Sequence, residues 1–231
     1  MTLLPNARVI VSLELETDVA CFRRRPSRRR WALGTTRDHL RQGTRVIHER
    51  LHHHPSFSEL MDETIALPGY HALLTRLFGY HHGLELALDS AIFPERPHAL
   101  LVDRRSQRLL QDLEDLGPNG PDNAPLTQTV KLDAIKSYGA WLGVLYVREG
   151  SMMGGRALAA KLDHLFGSQL SGRRFFQGGG GDGAAWQRLC RAMDALVEPA
   201  AQDQALQAAV ASFELFDTWM MPREPIARCG V

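Results

Sequence analysis

The first residue of this chain that could do chemistry is a histidine on an amphipathic helix. His48 follows Thr44 by four residues, so both side chains share one helix face. Arg41 and Arg45 precede His48 by seven and three residues, so both guanidinium groups can reach the same edge. One imidazole flanked by two cations suits a ligand of an iron ion that is held in a macrocycle with carboxylate groups. The simpler alternative is a structural or surface histidine.

A second segment has glycines at positions where a helix disfavours them. Each interior glycine costs about 1 kcal/mol of helix propensity relative to alanine. At about 100° per residue, Gly139, Gly143, Gly150 and Gly154 fall within about 60° of one another, so they form a single bare stripe. Such a stripe lets something flat approach the backbone closely. The alternative is a tight helix crossing of the small-xxx-small kind.

Together the two segments resemble heme oxygenase, in particular its bacterial branch. The distal motif Glu-Gly-Ser-x-x-Gly-Gly of that branch is similar to residues 149–155, and the proximal pattern Leu-Arg-x-x-Thr-x-x-x-His to residues 40–48. The resemblance extends from about Leu40 to Trp219. It implies an all-α, single-domain fold that holds a flat ligand between a proximal helix and a glycine-kinked distal helix.

The resemblance also implies the reaction. Heme is both cofactor and substrate, O2 is the oxidant, and electrons come from an external reductase, a ferredoxin or flavoprotein. The products are biliverdin, carbon monoxide and iron, and a biliverdin-using phytochrome is a further partner. The implied iron ligand is His48, and Thr44 on the same helix face is an implied heme-binding residue. The residues expected over the iron are Gly150, Ser151, Gly154 and Gly155.

The distal motif departs from the animal type, which has Asp directly after its first glycine. This chain has Ser151 there, so the carboxylate that organises distal waters is missing. A water chain could instead reach Ser151, Arg148, or the neighbourhood of His81 and His82. An ordinary structural role for both histidines remains open.

Cationic residues on two helices are candidates for the heme propionates, because Arg pairs carboxylates bidentately. The resemblance assigns this role to Arg41, Arg45 and Arg191. At a further position where the family has a basic residue, this chain has Gln187 instead. For Arg45 and Arg188, a solvated surface position is the alternative.

Two other functions stay open. One is a non-catalytic heme-binding or heme-sensing protein on the same fold. The other is a non-heme relative, such as a thiamine-degrading enzyme, which would need a cysteine nucleophile. Cys190 is the one mid-chain candidate for that role.

Composition excludes several classes of protein. The chain has 231 residues, a formal net charge of +1 and three cysteines without metal-ligand spacing. We therefore expect neither nucleic acid nor a membrane as partner, and a cytoplasmic location. Three consecutive histidines at 52–54 point about 100° apart on a helix, so they cannot converge on one metal ion.

The chain is predicted to have three parts. Residues 1–36 form a flexible, Arg-rich extension, 37–221 the helical domain and 222–231 a flexible tail. The glycines at 178–183 read as a flexible connection. The predicted helices are 37–54, 56–66, 68–91, 98–115, 126–149 continuing to 166, 183–197 and 200–219.

Overall fold

The computed structural model describes residues 35–93, 97, 100, 103–117, 129–179 and 181–221, without the side chain of Met153. Its helices are α1 (Thr36–Leu51), α2 (Ser58–Met61), α3 (Leu67–Asp89), α4 (Arg105–Leu116), α5 (Tyr138–Ala160), α6 (Asp163–Phe166), α7 (Arg174–Gln177), α8 (Asp182–Asp194) and α9 (Pro199–Met220). These described residues contain no β-strand, as predicted. The predicted tail and nearly all of the predicted extension lie outside the described residues.

Helix α1 starts and stops where local chemistry dictates. Thr35 caps its N-terminus through a reciprocal capping box with Asp38. The prediction that it continues to residue 54 is wrong, because His54 has an extended backbone and precedes Pro55. A residue before proline is disfavoured in the helical conformation. A 3₁₀ turn at Pro55–Phe57 follows.

Residues 56–66 do not form the one helix that was predicted. The 3₁₀ turn and the single-turn helix α2 replace it, and Glu63 then adopts a φ of 59°. A left-handed backbone at a non-glycine residue ends the helical path.

The prediction that the distal helix begins at residue 126 is wrong as far as the described part reaches, since 129–137 are not helical. Ser137 caps α5 by accepting a hydrogen bond from the Ala140 N–H at 3.2 Å. Before that, Val130 donates its N–H to the Gly79 carbonyl, and a methyl group on Gly83 would lie 2.4 Å from the Val130 oxygen. The segment therefore crosses α3 closely. Helix α5 then ends at Ala160, not 166, and the bend at its glycines stays a prediction.

Helix α4 begins at Arg105, later than the predicted 98, because its first N–H groups are satisfied by another helix. The Glu85 carboxylate on α3 accepts from the N–H groups of Arg105 at 2.7 Å and Ser106 at 3.3 Å. In the same way, Asp112 on α4 accepts from the first N–H groups of α7, Arg174 and Phe175. The sequence did not predict α7.

Two apolar clusters form the core, and α9 contributes to both. The first joins α1, α5, α8 and α9 through Leu40, Trp141, Leu189 and Ala209 among others. The second includes buried residues of α3 and α4 and the last residue of α9, Met220. Helix α9 packs against α1 and α5, so it is the common support of the two helices with the candidate site residues.

Candidate functional site

The first two glycines of the predicted stripe pack directly on the backbone of α9. A methyl group on Gly139 would lie 2.2 Å from the Ala201 oxygen, and one on Gly143 would lie 2.0 Å from the Ala205 oxygen. An advance of four residues along α5 thus corresponds to an advance of four residues along α9. The two helices are therefore parallel here and keep a constant register. The helix-crossing interpretation of the stripe is correct for this half.

The stripe changes character at Gly150. A methyl group there would meet only two ring carbons of Trp186, at 3.8 and 4.0 Å, which is ordinary contact distance. Gly155 is again close to backbone, at 3.1 Å from the Phe176 oxygen, and Gly154 is half-buried. At Gly150, therefore, an aromatic side chain rather than backbone faces the bare position.

His48 contacts α9 close to the level that the α5–α9 register predicts for Gly150. Its half-buried imidazole meets the Phe213 ring edge-on, with centroids 5.9 Å apart. Gly150 is seven residues beyond Gly143, and the same advance along α9 from Ala205 leads to the neighbour of Phe213. Extended from Gly143, the register of α5 and α9 therefore gives the candidate proximal residue and the candidate distal residue the same height along α9.

A second imidazole accompanies His48. His52, one helical turn further along α1, contacts it edge-on with ring centroids 4.7 Å apart. His52 is exposed, and His54 is instead buried with both ring nitrogens engaged. His54 Nδ1 accepts from the Ser56 N–H at 3.2 Å, and its Nε2 lies 3.1 Å from the Asp217 carbonyl oxygen. Across the described ranges, no group of three or more potential ligands is placed to hold a metal ion.

The remaining candidates on α1 differ in exposure. Thr44 is buried, and its hydroxyl donates to the Leu40 carbonyl at 2.8 Å, which gives it a partner inside its own helix. Arg41 and Arg45 have exposed side chains with nearby carboxylates, Asp38 at 3.6 Å and Glu49 at 3.2 Å.

Arg191 and Ser151 are exposed as well. Arg191 is on α8, on a different helix from the α1 arginines. The Ser151 hydroxyl donates to the Arg148 carbonyl at 2.9 Å, one turn back along α5. Ser151 thus stands at the surface of the described structure with its hydroxyl directed to its own helix.

The other side of α5 carries a buried charge cluster, which we define as Glu85, Arg105, Arg148 and Glu149. Arg105 Nη2 donates to the Glu149 carboxylate at 2.7 Å. Arg148 pairs with Glu149 and, at 3.4 Å, with Glu85. All four side chains are at most 5% exposed. At about 100° per residue, Arg148 points about 160° away from Gly150, so its guanidinium serves this cluster.

His81 borders the charge cluster. The residue is 3% exposed, and its ring lies 5.1 Å from the Phe175 ring between centroids. Burial, followed by the nearby Arg105 and Arg148 cations, holds the pKa of His81 well below its usual value. His81 is therefore a neutral imidazole at physiological pH. His82 stacks on Phe78 with ring centroids 5.3 Å apart.

Two features bear on the remaining sequence predictions. Cys190 is 4% exposed within the first apolar cluster, which does not suit a nucleophile that a substrate must reach. The glycine connection before α8 is anchored: Asp182 accepts from the Gly179 N–H at 2.6 Å and from Arg108 at 3.0 Å.

Sequence reasoning missed the aromatic residues next to the candidate site and the partners in the charge cluster. Trp186 and Phe213 contact Gly150 and His48 from α8 and α9, and no local pattern links residues so far apart. The charge cluster did leave a trace: Glu85, Arg148 and Glu149 interrupt otherwise apolar helices. Buried charges need partners, so these three could have been predicted to pair.

Comparisons with known proteins bear on the family and the fold of the chain. The family model described as "Heme oxygenase" matches residues 35–222. Among solved structures, the chain is similar to heme oxygenase from Leptospira interrogans, with 17% identity, a TM-score of 0.61, and coverage of 81% of this chain and 98% of that one. It is similar to NO- and CO-bound heme oxygenase from Neisseria meningitidis, with 21% identity, a TM-score of 0.59, and coverage of 86% and 99%.

A third similar structure is heme oxygenase-1 from the cyanobacterium Synechocystis sp. PCC6803 in complex with heme. Its identity is 14%, its TM-score 0.57, and the coverage 81% of this chain and 91% of that one. No curated protein matches the sequence. In the part of the chain that the structure describes, no helix is long and apolar enough to span a bilayer.

Proposed function

Since the chain belongs to the heme oxygenase family, we propose that it binds heme and cleaves it with O2 to biliverdin, carbon monoxide and iron. The observation that carries the proposal is the contact of His48 with Phe213 on α9, together with an α5–α9 register that leads to Ser212 when it is extended from Gly143 to Gly150. A metal ligand and a bare helix backbone at one height are what a flat, iron-containing substrate requires.

The residues present fit heme in two respects. The His48 ring is half-buried and packed against Phe213, so it is held in place while part of its surface remains accessible. Gly150 leaves the position of a side chain open except for the edge of Trp186. When bound, heme supplies the iron that activates O2 and the macrocycle carbon that is oxidised.

The protein then has to bind the heme, orient it and exclude alternative oxidation reactions. His48 would bind the iron through one ring nitrogen as a neutral imidazole. The bare backbone at Gly150 would leave room for O2 while confining it against the helix. Gly154 is proposed to share this role, whereas Gly155 packs against the Phe176 carbonyl and would keep α5 in place.

Exposed arginines are proposed to bind the two propionates. Arg41 and Arg45 lie one turn apart on α1, and Arg45 precedes His48 by three residues, so both can reach one edge of the site. Arg191 would contribute from α8. Both side chains are exposed, and a ligand carboxylate would compete with Asp38 for Arg41 and with Glu49 for Arg45. The electrons are proposed to come from an external ferredoxin or flavoprotein reductase.

Ser151 and His81 are proposed to differ in their distal roles. Ser151 is exposed at the glycine motif, so its hydroxyl can meet solvent waters next to Gly150. His81 borders the charge cluster, so as a neutral residue it can accept or donate a hydrogen bond there but does not store a proton.

The test is a hemin titration of the wild type, His48→Ala and His53→Ala, followed by reductant in air. His53 is the matched control, because it is exposed and lies just after the same helix. We expect a histidine-ligated Soret band in the wild type and His53→Ala, its loss in His48→Ala, and partial recovery with added imidazole. Reductant and air should then give a green pigment.

An unchanged Soret band in His48→Ala would assign the iron to another residue. Hemin binding with no pigment at all would favour a non-catalytic heme-binding protein.

A further inference from the structure

We infer that Trp186 is a specificity-determining residue of this site. Its indole forms a wall beside Gly150, against which one edge of the bound macrocycle rests, and it thereby sets how heme is oriented in its own plane. This inference rests on the proposed function and concerns the substrate of the same site.

The inference depends on which atoms surround the bare backbone position at Gly150. Ring carbons Cζ3 and Cη2 of Trp186 lie 3.8 and 4.0 Å from where a Gly150 methyl carbon would be. Any flat group that touches the Gly150 backbone on this side therefore also comes within contact distance of the indole. The comparable positions at Gly139 and Gly143 are closed by α9 backbone, so no ligand can enter there.

The indole packs against a second ring, and the helix that carries it is anchored at its start. Tyr146, one turn before Gly150 on α5, places its ring 6.0 Å from the Trp186 ring, tilted by 40°. On α8, Trp186 follows Asp182 by one turn, and Asp182 is fixed by Arg108 and the Gly179 N–H. The indole is consequently a positioned surface.

Trp186 is also half-buried, so part of its ring remains accessible where a core tryptophan would be enclosed. The contrast is Trp141 on the same helix as Gly150, which is 0% exposed. An accessible aromatic edge beside a bare backbone suits a large conjugated macrocycle, since aromatic pairs attract beyond the area they bury.

The orientation of heme follows from this contact. Carboxylate-binding arginines hold one edge of the macrocycle, and a rigid wall at another position removes rotations that would bring ring substituents into the indole. Shortening the side chain restores those rotations. Trp186 therefore decides which meso carbon lies nearest the Gly150 backbone.

The experiment compares Trp186→Ala and Trp186→Phe with Trp219→Phe. Trp219 is a matched control because it is also half-buried, but it lies at the end of α9, packs near both apolar clusters and donates its indole N–H to the Arg76 carbonyl. Two readouts are independent of turnover: hemin affinity from Soret titration, and the ratio of in-plane heme orientations from proton NMR of the ferric cyanide complex.

We expect Trp186→Ala to weaken hemin binding about tenfold, the factor that corresponds to about 1.4 kcal/mol, and to change the orientation ratio. Trp186→Phe should shift the ratio in the same direction but less, and Trp219→Phe should leave it unchanged. If both Trp186 variants keep the wild-type affinity and ratio, the indole only packs α8 against α5, and the inference is wrong. A wild type that binds no hemin would instead contradict the proposed function itself.

Discussion

At the scale of single residues, the chain places two histidines in opposite surroundings. His48 is half-buried and contacts the rings of Phe213 and His52. His81 is enclosed beside two arginines. The candidate ligand could be predicted from its spacing to Thr44 and the α1 arginines. Its contact with Phe213 could not, because the two residues are far apart in sequence.

The surroundings of His81 predict how stability depends on pH. Its folded-state pKa lies well below 6.5, so below pH 6.5 the unfolded chain binds a proton that the folded protein refuses. The contribution of His81 is therefore present above about pH 6.5 and is lost as the pH falls towards the folded-state pKa, by up to about 1.4 kcal/mol per pH unit. Urea unfolding at several pH values should show this loss.

The variant His81→Gln should have a flatter pH profile, whereas His53→Gln at an exposed position should follow the wild type. Equal slopes in all three proteins would mean that the pKa of His81 is the same in the folded and unfolded states.

At the scale of helices, the glycine stripe divides into a packed half and an open half. The sequence predicted one face with two competing explanations, close ligand approach and helix crossing. The structure assigns crossing to Gly139 and Gly143, and it leaves Gly150 without backbone in contact. The division could not be read from the sequence, because it depends on which α5 glycines face the backbone of another helix.

This division predicts stability changes of opposite sign. Gly143→Ala should destabilise the protein by about 1–3 kcal/mol or more, because the new methyl group would overlap the rigid Ala205 carbonyl. Gly150→Ala has room beside Trp186 and should stabilise the ligand-free protein by up to about 1 kcal/mol through helix propensity. Denaturant midpoints of both variants test this, and a loss of stability in Gly150→Ala would show that α5 is tightly packed there too.

Local signals in the sequence mark some helix starts, whereas other starts depend on caps from elsewhere. Thr35 and Pro199 mark the starts of α1 and α9 in the sequence itself. The starts of α4 and α7 depend on Glu85 and Asp112, carboxylates on other helices. Such long-range caps leave no pattern in the helix they begin.

At the scale of the whole molecule, the charge cluster connects α3, α4 and α5 behind the open half of the stripe. Glu149 immediately precedes Gly150 and pairs with two buried arginines, so its position fixes that of the glycine segment. Removing one partner from a buried ion pair leaves an uncompensated charge, at about 3–5 kcal/mol. Glu149→Gln should therefore lower the free energy of unfolding by about that amount.

The control is Glu49→Gln, which breaks the exposed pair with Arg45 and should change stability by at most about 1 kcal/mol. Thermal and urea unfolding of both variants provide the comparison. Similar effects of the two substitutions would mean that the charge cluster is hydrated and contributes little.

The central claim is that α9 holds His48 and Gly150 at one level so that heme between them is oxidised. Its most direct test is the yield of carbon monoxide and biliverdin from stoichiometric hemin, with reductant and O2, in the wild type and in Gly150→Leu. We predict close to one of each product per heme in the wild type. In Gly150→Leu we predict hemin bound with the wild-type Soret band but little of either product, because the side chain fills the space beside the substrate. Wild-type yields from Gly150→Leu, or a wild type that binds hemin and releases neither product, would contradict this claim.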